Sequence, residues 1–198
     1  MKIDSNQPLE YSTEQNKMNI LGFWIFLGAE IMLFATLFTS YFIYEGRVGS
    51  GPGAAEIFEI GPVIINTMIL LTSSFTIGLA IHAMRIQRTK AMISFLIVTL
   101  ALGAAFVSVE IYEFIHFYHL NATLQTSGFT ATLFTTLATH GAHVTFGLFW
   151  GIMIIIQLVK HGLTAQTANK SFIFSLYWHF LDVMWIFIFS FVYLKGMM

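Results

Sequence analysis

Apolar positions along the chain fall into five long runs separated by short polar stretches. Glu30 is the one ionisable residue between Lys17 and Glu45, and neither Ile60 to Met84 nor Phe114 to Val159 contains Asp, Glu, Lys or Arg. A run of about 18 or more apolar residues is long enough to cross a bilayer as a helix. The pattern therefore predicts spans at about 20–44, 60–84, 91–118, 130–159 and 171–194. Barrel strands of roughly 10 residues with alternating polar positions do not match these runs. The expected fold is all-α, an integral membrane bundle of five transmembrane helices spanning residues 20–198, preceded by a polar tail at 1–19. The first apolar run is well past the 7 to 15 residues of a signal-peptide core, so it reads as a retained helix. The stretches "GRVGSGPGAAE", "RIQRTK", "NATLQTSG" and "KHGLTAQTANK" read as the four connections.

Composition agrees with this reading. Hydrophobic residues make up 57% of the 198 and charged residues 10%, against roughly 25% charged in soluble domains. A net charge of -1 supplies no basic surface for nucleic acid. With no cysteine, disulfides, thiolate metal sites, iron–sulfur clusters and a cysteine nucleophile are excluded. The cations also fix an orientation, because cytoplasmic segments retain Lys and Arg. Lys2, Lys17, Arg85, Arg88, Lys90, Lys160 and Lys170 fall on one side of the five spans, and Arg47 and Lys195 on the other. The amino terminus is expected in the cytoplasm and the carboxy terminus outside.

The polar residues inside the spans carry the candidate chemistry. At about 1.5 Å per residue, Glu30 lies roughly 15 Å into the first span, and His179 and Asp182 roughly 12 and 16 Å into the fifth. His140 and His143 fall near the middle of the fourth. Each is costly against lipid tails and should face protein or a polar cleft. The fourth-span histidines share a face with Thr136 and Gly147, and Gly147 with Gly151 is a small-xxx-small pair that lets another helix approach. "GAAF" at 103–106 offers the same on the third span. Asp182 is near enough to fix the tautomer of His179. Glu30 has no Lys or Arg within any span to pair with, which favours its neutral acid unless a histidine or lipid head group lies near. Glu110 and Glu113, roughly 28 to 33 Å from the inner end, are expected as anchors at the outer interface beside His116 and His119. The aromatics, 21 Phe, 7 Tyr and 4 Trp, are expected mostly against lipid and at the interface belts.

Two readings stand for the histidines. "HFYH" and "HGAH" both have H-x-x-H spacing, which suits a metal or haem site. The pairs lie at different depths and no H-E-x-x-H occurs, which suits hydrogen-bonded packing or lipid contact instead. For Glu30 the pair is a proton relay or a buried, hydrogen-bonded acid. A small transporter would want discontinuous helices and repeats, and the sequence has neither.

Four blocks, "LGFWIFLGAEIMLFATLF", "LGAAFVSVEIYEF", "THGAHVTFG" and "SLYWHFLDVMWIFIFSFVYLKG", resemble subunit III of the haem-copper respiratory oxidases. The likeness runs from about residue 19 to the carboxy terminus, in the five-span bacterial form that lacks the first two helices of the longer subunit. "LTSSFTIGLAIHAMR" and "HGLTAQTANK" look more like the quinol-oxidising branch than the cytochrome c-oxidising one. The resemblance implies an accessory subunit of a bacterial plasma-membrane, proton-pumping quinol oxidase, with no catalytic, haem or metal residue of its own. Haem and copper would belong to subunit I, subunits I, II and IV would be partners, and phospholipid would occupy a cleft. Subunit III of a cytochrome c oxidase is the alternative, and a free-standing membrane haem or metal enzyme a more distant one. Glu30 then matches the carboxylate that reacts with carbodiimide in some members, and His143 the second histidine of the family's "HGxH", a head-group neighbour. Glu30, His140, His143, His179, Asp182, Glu110 and Glu113 are the candidates for the inter-helix polar set and lipid cleft. Where longer homologues place an arginine, this chain has Gln157, with Lys160 one turn further on. The orientation is checked with reporters fused at each end: the amino-terminal one should be accessible from the cytoplasm alone, and the reverse pattern refutes the charge argument.

Overall fold

The computed structural model describes residues 7–49 and 51–197. Six helices follow a short 3-10 turn at Leu9–Tyr11: α1 (Glu14–Tyr44), the single turn α2 (Ala54–Ile57), α3 (Ile60–Arg85), α4 (Thr89–His119), α5 (Gly128–His161) and α6 (Ala165–Ile188), which continues as π-helix over Phe189–Leu194. Five of them, all but α2, are long and apolar enough to cross a membrane. Local chemistry sets their starts. The Thr13 hydroxyl caps α1, while Ser127 with Thr130 and Thr164 with Thr167 form reciprocal caps on α5 and α6, satisfying N–H groups that a helix leaves open at its first turn. Between α3 and α4 the chain reverses at Gln87, which takes the left-handed conformation at φ 60°.

The helices alternate in direction, so their connections gather at two ends. At one end Arg85 pairs with buried Glu10 at 3.0 Å, Asn16 Nδ2 donates to Ala165 O at 3.0 Å, and Asn169 Nδ2 donates to the carbonyls of Glu10 and Asn16. Residues 9–19, expected as part of a polar tail, are instead ordered here, because α6 and Arg85 supply partners for their backbone and for Glu10. Residues 1–6 of that tail lie outside the described residues. At the other end Lys195 pairs with Glu45 at 2.6 Å and lies over the Phe42 ring. Six of the seven cations assigned to one side by sequence, all except Lys2, are on elements that meet at the Glu10 end.

α6 is the axis. It packs on α1, α3 and α5, and Phe174, Trp178, Trp185, Ile188 and Tyr193 on it are fully enclosed. Trp178 Nε1 donates to Ser73 Oγ of α3 at 2.9 Å, and Trp185 Nε1 to Thr67 Oγ1 at 3.0 Å. α3 and α4 are joined where the Thr76 and Thr99 hydroxyls meet at 2.7 Å. The aromatics are thus less lipid-facing than composition suggested, since the indole N–H groups find hydroxyl partners inside. The small-residue positions serve these rings. A Cβ on Gly103 would lie 2.7 Å from the Trp178 ring, one on Gly147 3.1 Å from it, and one on Gly151 2.5 Å from Leu100 and 2.9 Å from Phe174. α1 is the outlier, with most of its surface unburied and packing mainly on α5, α6 with its π-helical end, and the initial turn.

Leucine at Gly103 should therefore lower stability by about 1–3 kcal/mol through overpacking. Thermal denaturation of the detergent-solubilised protein checks this, with Gly22→Leu, whose added Cβ meets nothing within 4 Å, as the control expected to change little.

Candidate functional site

The sequence-selected polar residues separate into three groups. In the first, α1 brings Glu30 to α5, where its Oε2 lies 3.1 Å from His143 Nε2. Glu30 is 14% and His143 21% exposed. His143 Nδ1 is 2.7 Å from the Thr139 carbonyl, an atom that only accepts, so Nδ1 carries a hydrogen. Nε2 then either donates to a carboxylate as part of an imidazolium or accepts from a carboxylic acid. Both arrangements leave the pair with no net charge, the condition under which ionisable groups are tolerated at this depth. The Tyr177 hydroxyl donates to the His143 carbonyl at 3.0 Å, and Phe34 packs on the imidazole at 5.5 Å between ring centres. The histidine that sequence left open as a partner for Glu30 is this one. Beside the pair, Phe23 and Phe26 of α1, Phe146 and Trp150 of α5, and Tyr177 line an open apolar groove that ends at His143.

His140 does not join it. Three residues earlier on α5, it is wholly enclosed by Phe34, Phe106 and Trp185. The two histidines share a helix face in the sequence pattern but point to different neighbours.

The second group is on α4. Glu110 is 3% exposed and lies directly against Gly141, where any Cβ would collide with its carboxylate. It is a buried acid and not the interfacial anchor expected, because glycine at 141 opens room for it between α4 and α5. Glu113 accepts from the Tyr193 hydroxyl at 2.9 Å and also lines a small outward pocket with Glu59 and His116. Neither Tyr193 nor Tyr177 was distinguished by sequence. Tyr193 continues the Trp178 and Trp185 stripe at a spacing of seven to eight residues, which is a signal for that residue, and nothing in the pattern marks Tyr177.

In the third group Asp182, 4% exposed, sits 3.8 Å from His179 Nδ1, which is closer to Ser74 Oγ of α3 at 2.8 Å. His179 therefore ties α6 to α3. At the Glu10 end, Gln157 accepts from Lys170 Nζ at 2.9 Å. Among the described residues no three His, Asp or Glu side chains converge to hold a metal.

Residues 10–197 match the family described as Cytochrome c oxidase subunit III. The chain belongs to this family. A subunit III relative, "Quinol oxidase subunit 3" of Bacillus spizizenii, is 55% identical over 98% of this chain and 95% of its own length. "Probable quinol oxidase subunit 3" of Staphylococcus saprophyticus is 44% identical over 100% and 98%, and "Cytochrome c oxidase subunit 3" of Bacillus sp. PS3 is 44% identical over 96% and 92%. The resemblance carried by the four sequence blocks is thus borne out over nearly the whole chain, and the protein is a multi-pass membrane protein.

In subunit III the Glu30–His143 pair should behave as a coupled unit. Glu30→Ala alone leaves Nε2 of His143 without its partner and should cost about 1–3 kcal/mol. In a double-mutant cycle with His143→Leu, read by thermal denaturation, the two losses should fall short of additive by about 0.5 kcal/mol or more. Simple additivity refutes the coupling.

Proposed function

We propose that this chain is the non-redox subunit III of a proton-pumping, haem-copper quinol oxidase, with its amino terminus in the cytoplasm. The observation that carries the reading is the 55% identity over nearly full length to relatives called quinol oxidase subunit 3. Quinol oxidation and the reduction of oxygen to water belong to the complex. Haem and copper reside in subunit I, and subunits II and IV complete the assembly. The chain's own residues hold neighbours. Glu30 and His143 form a charge-neutral clasp between α1 and α5, and the aromatic groove beside them accommodates a phospholipid acyl chain whose head group lies toward an interface. Apolar side chains line that groove almost throughout, which suits a hydrocarbon tail better than a polar substrate.

The second reading, subunit III of a cytochrome c oxidase, is favoured by one observation, the 44% identity to the Bacillus sp. PS3 protein of that name. Affinity purification through a tag on this chain, in mild detergent, tests both. A larger haem-bearing polypeptide that oxidises quinol and not cytochrome c is expected to accompany it. Cytochrome c oxidation favours the second reading, and isolation of the chain alone refutes both. In the same preparation Glu30→Ala should leave haem content unchanged while lowering the amount of phospholipid retained; loss of haem contradicts the accessory role.

A further inference from the structure

Among the described residues the span polar groups left without a hydrogen-bond partner, Tyr41, Asn66, Glu110, His140 and Asp182, are all buried inside the bundle, and the groups that reach its outer surface are, with one exception, answered from within. The exposed hydroxyls of Thr36, Thr72, Ser94, Ser108 and Thr135 each donate to the carbonyl four residues earlier. His140 is enclosed, and His143 has a partner on each nitrogen. His82, His116, His119 and His161 lie near helix ends. His179 sits well inside α6 and its side chain is 44% exposed. Its one hydrogen bond among the described residues runs through Nδ1 to Ser74, so Nε2 has no partner among them. Next to it both carboxylate oxygens of Asp182 are buried without a hydrogen bond. A half-exposed imidazole beside an unanswered carboxylate is costly against lipid tails, and such residues mark contacts with other polar groups.

The surroundings have the form of a helix seat. Phe75 of α3 and Val183 and Ile186 of α6 stand exposed on either side of the His179–Ser74 pair. Gly78, one turn from Ser74 on α3, has open space where a side chain would be, which allows close approach of another backbone.

We infer that the α3–α6 face around Ser74, His179 and Asp182 is covered by a transmembrane helix of another subunit, which presents a hydroxyl, amide or other polar side chain at mid-bilayer to His179 Nε2. The inference rests on the reading of the chain as one subunit of an oxidase complex, and it names the face used. Interhelical hydrogen bonds of this kind hold helices together where apolar contact gives little preference over lipid.

Photo-crosslinking in intact membranes tests it. With p-benzoyl-phenylalanine in place of Val183 or Phe75, irradiation should join this chain to a second polypeptide of the complex. The same probe at Phe149, on the exposed side of α5, should give lipid adducts only. Lipid adducts alone from positions 183 and 75 overturn the inference. The haem spectrum of the tagged preparation judges the subunit reading separately, so a complex that co-purifies without these crosslinks sinks the face and spares the subunit. With His179→Leu, loss of the haem-bearing polypeptide should shift to lower detergent concentration, and with His179→Gln, which keeps a hydrogen-bonding end, it should shift less. Equal retention by the two variants also counts against the assignment.

Discussion

Trp178 is the contact on which the bundle depends. Its indole lies on α6, its ring rests where Gly103 of α4 and Gly147 of α5 have no side chain, and its N–H bonds Ser73 of α3. One side chain therefore touches all four helices of the core. The indole supplies a large apolar area, and its single donor must be answered in a region without water. Ser73 answers it, and the serine hydroxyl also reaches the Leu70 carbonyl. The same solution recurs two turns along, where Trp185 bonds Thr67. With lipid tails as apolar as the helices, packing and these bonds, more than any drive to escape water, keep α3 to α6 together.

α1 is held by a different principle. It buries only a narrow stripe, Ile20, Leu27, Phe34 and Tyr41, and polar links at three levels reinforce it. Asn16 and Asn19 reach α6 and its start at one end, Glu30 meets His143 in the middle, and Glu45 meets Lys195 at the other end. The middle link is the one that lies mid-span, and the hydrogen bond between its two groups is what makes them tolerable there. An arm held along that one narrow seam leaves the apolar groove beside it between α1 and α5, and an elongated apolar ligand fits such a space. The feature of α1 that looks like weak packing is thus the source of the lipid-binding capacity proposed for subunit III.

The three polar groups differ in how completely the chain satisfies them. Glu30 and His143 form a closed pair. Glu110 lies deep against the Gly141 backbone, while Glu113 has Tyr193 on one side and an outward pocket on the other. His179 is left half-exposed toward the outside of the bundle, beside the buried Asp182. In a chain belonging to a family of oxidase subunits, an open polar group on a span belongs on a side that meets protein, and closed ones need no such cover.

Sequence alone determined the number of long apolar helices, their approximate limits, the segregation of cations and the family, because a bilayer imposes a length and a polarity that leave direct marks on composition. It also placed the ionisable groups in depth, since depth follows from helical rise. Which of them meet was decided by the rotation and crossing of helices, and those depend on side-chain fit. His140 and His143 are three residues apart, yet one is boxed by aromatics and the other clasps Glu30. Glu110 is enclosed between helices because Gly141, on a different helix, leaves room for a carboxylate. Lys170 reached Gln157 because α6 folds back beside the end of α5. Contacts across helices of this kind are written in no single segment, and they exist once the tertiary structure has brought the segments together.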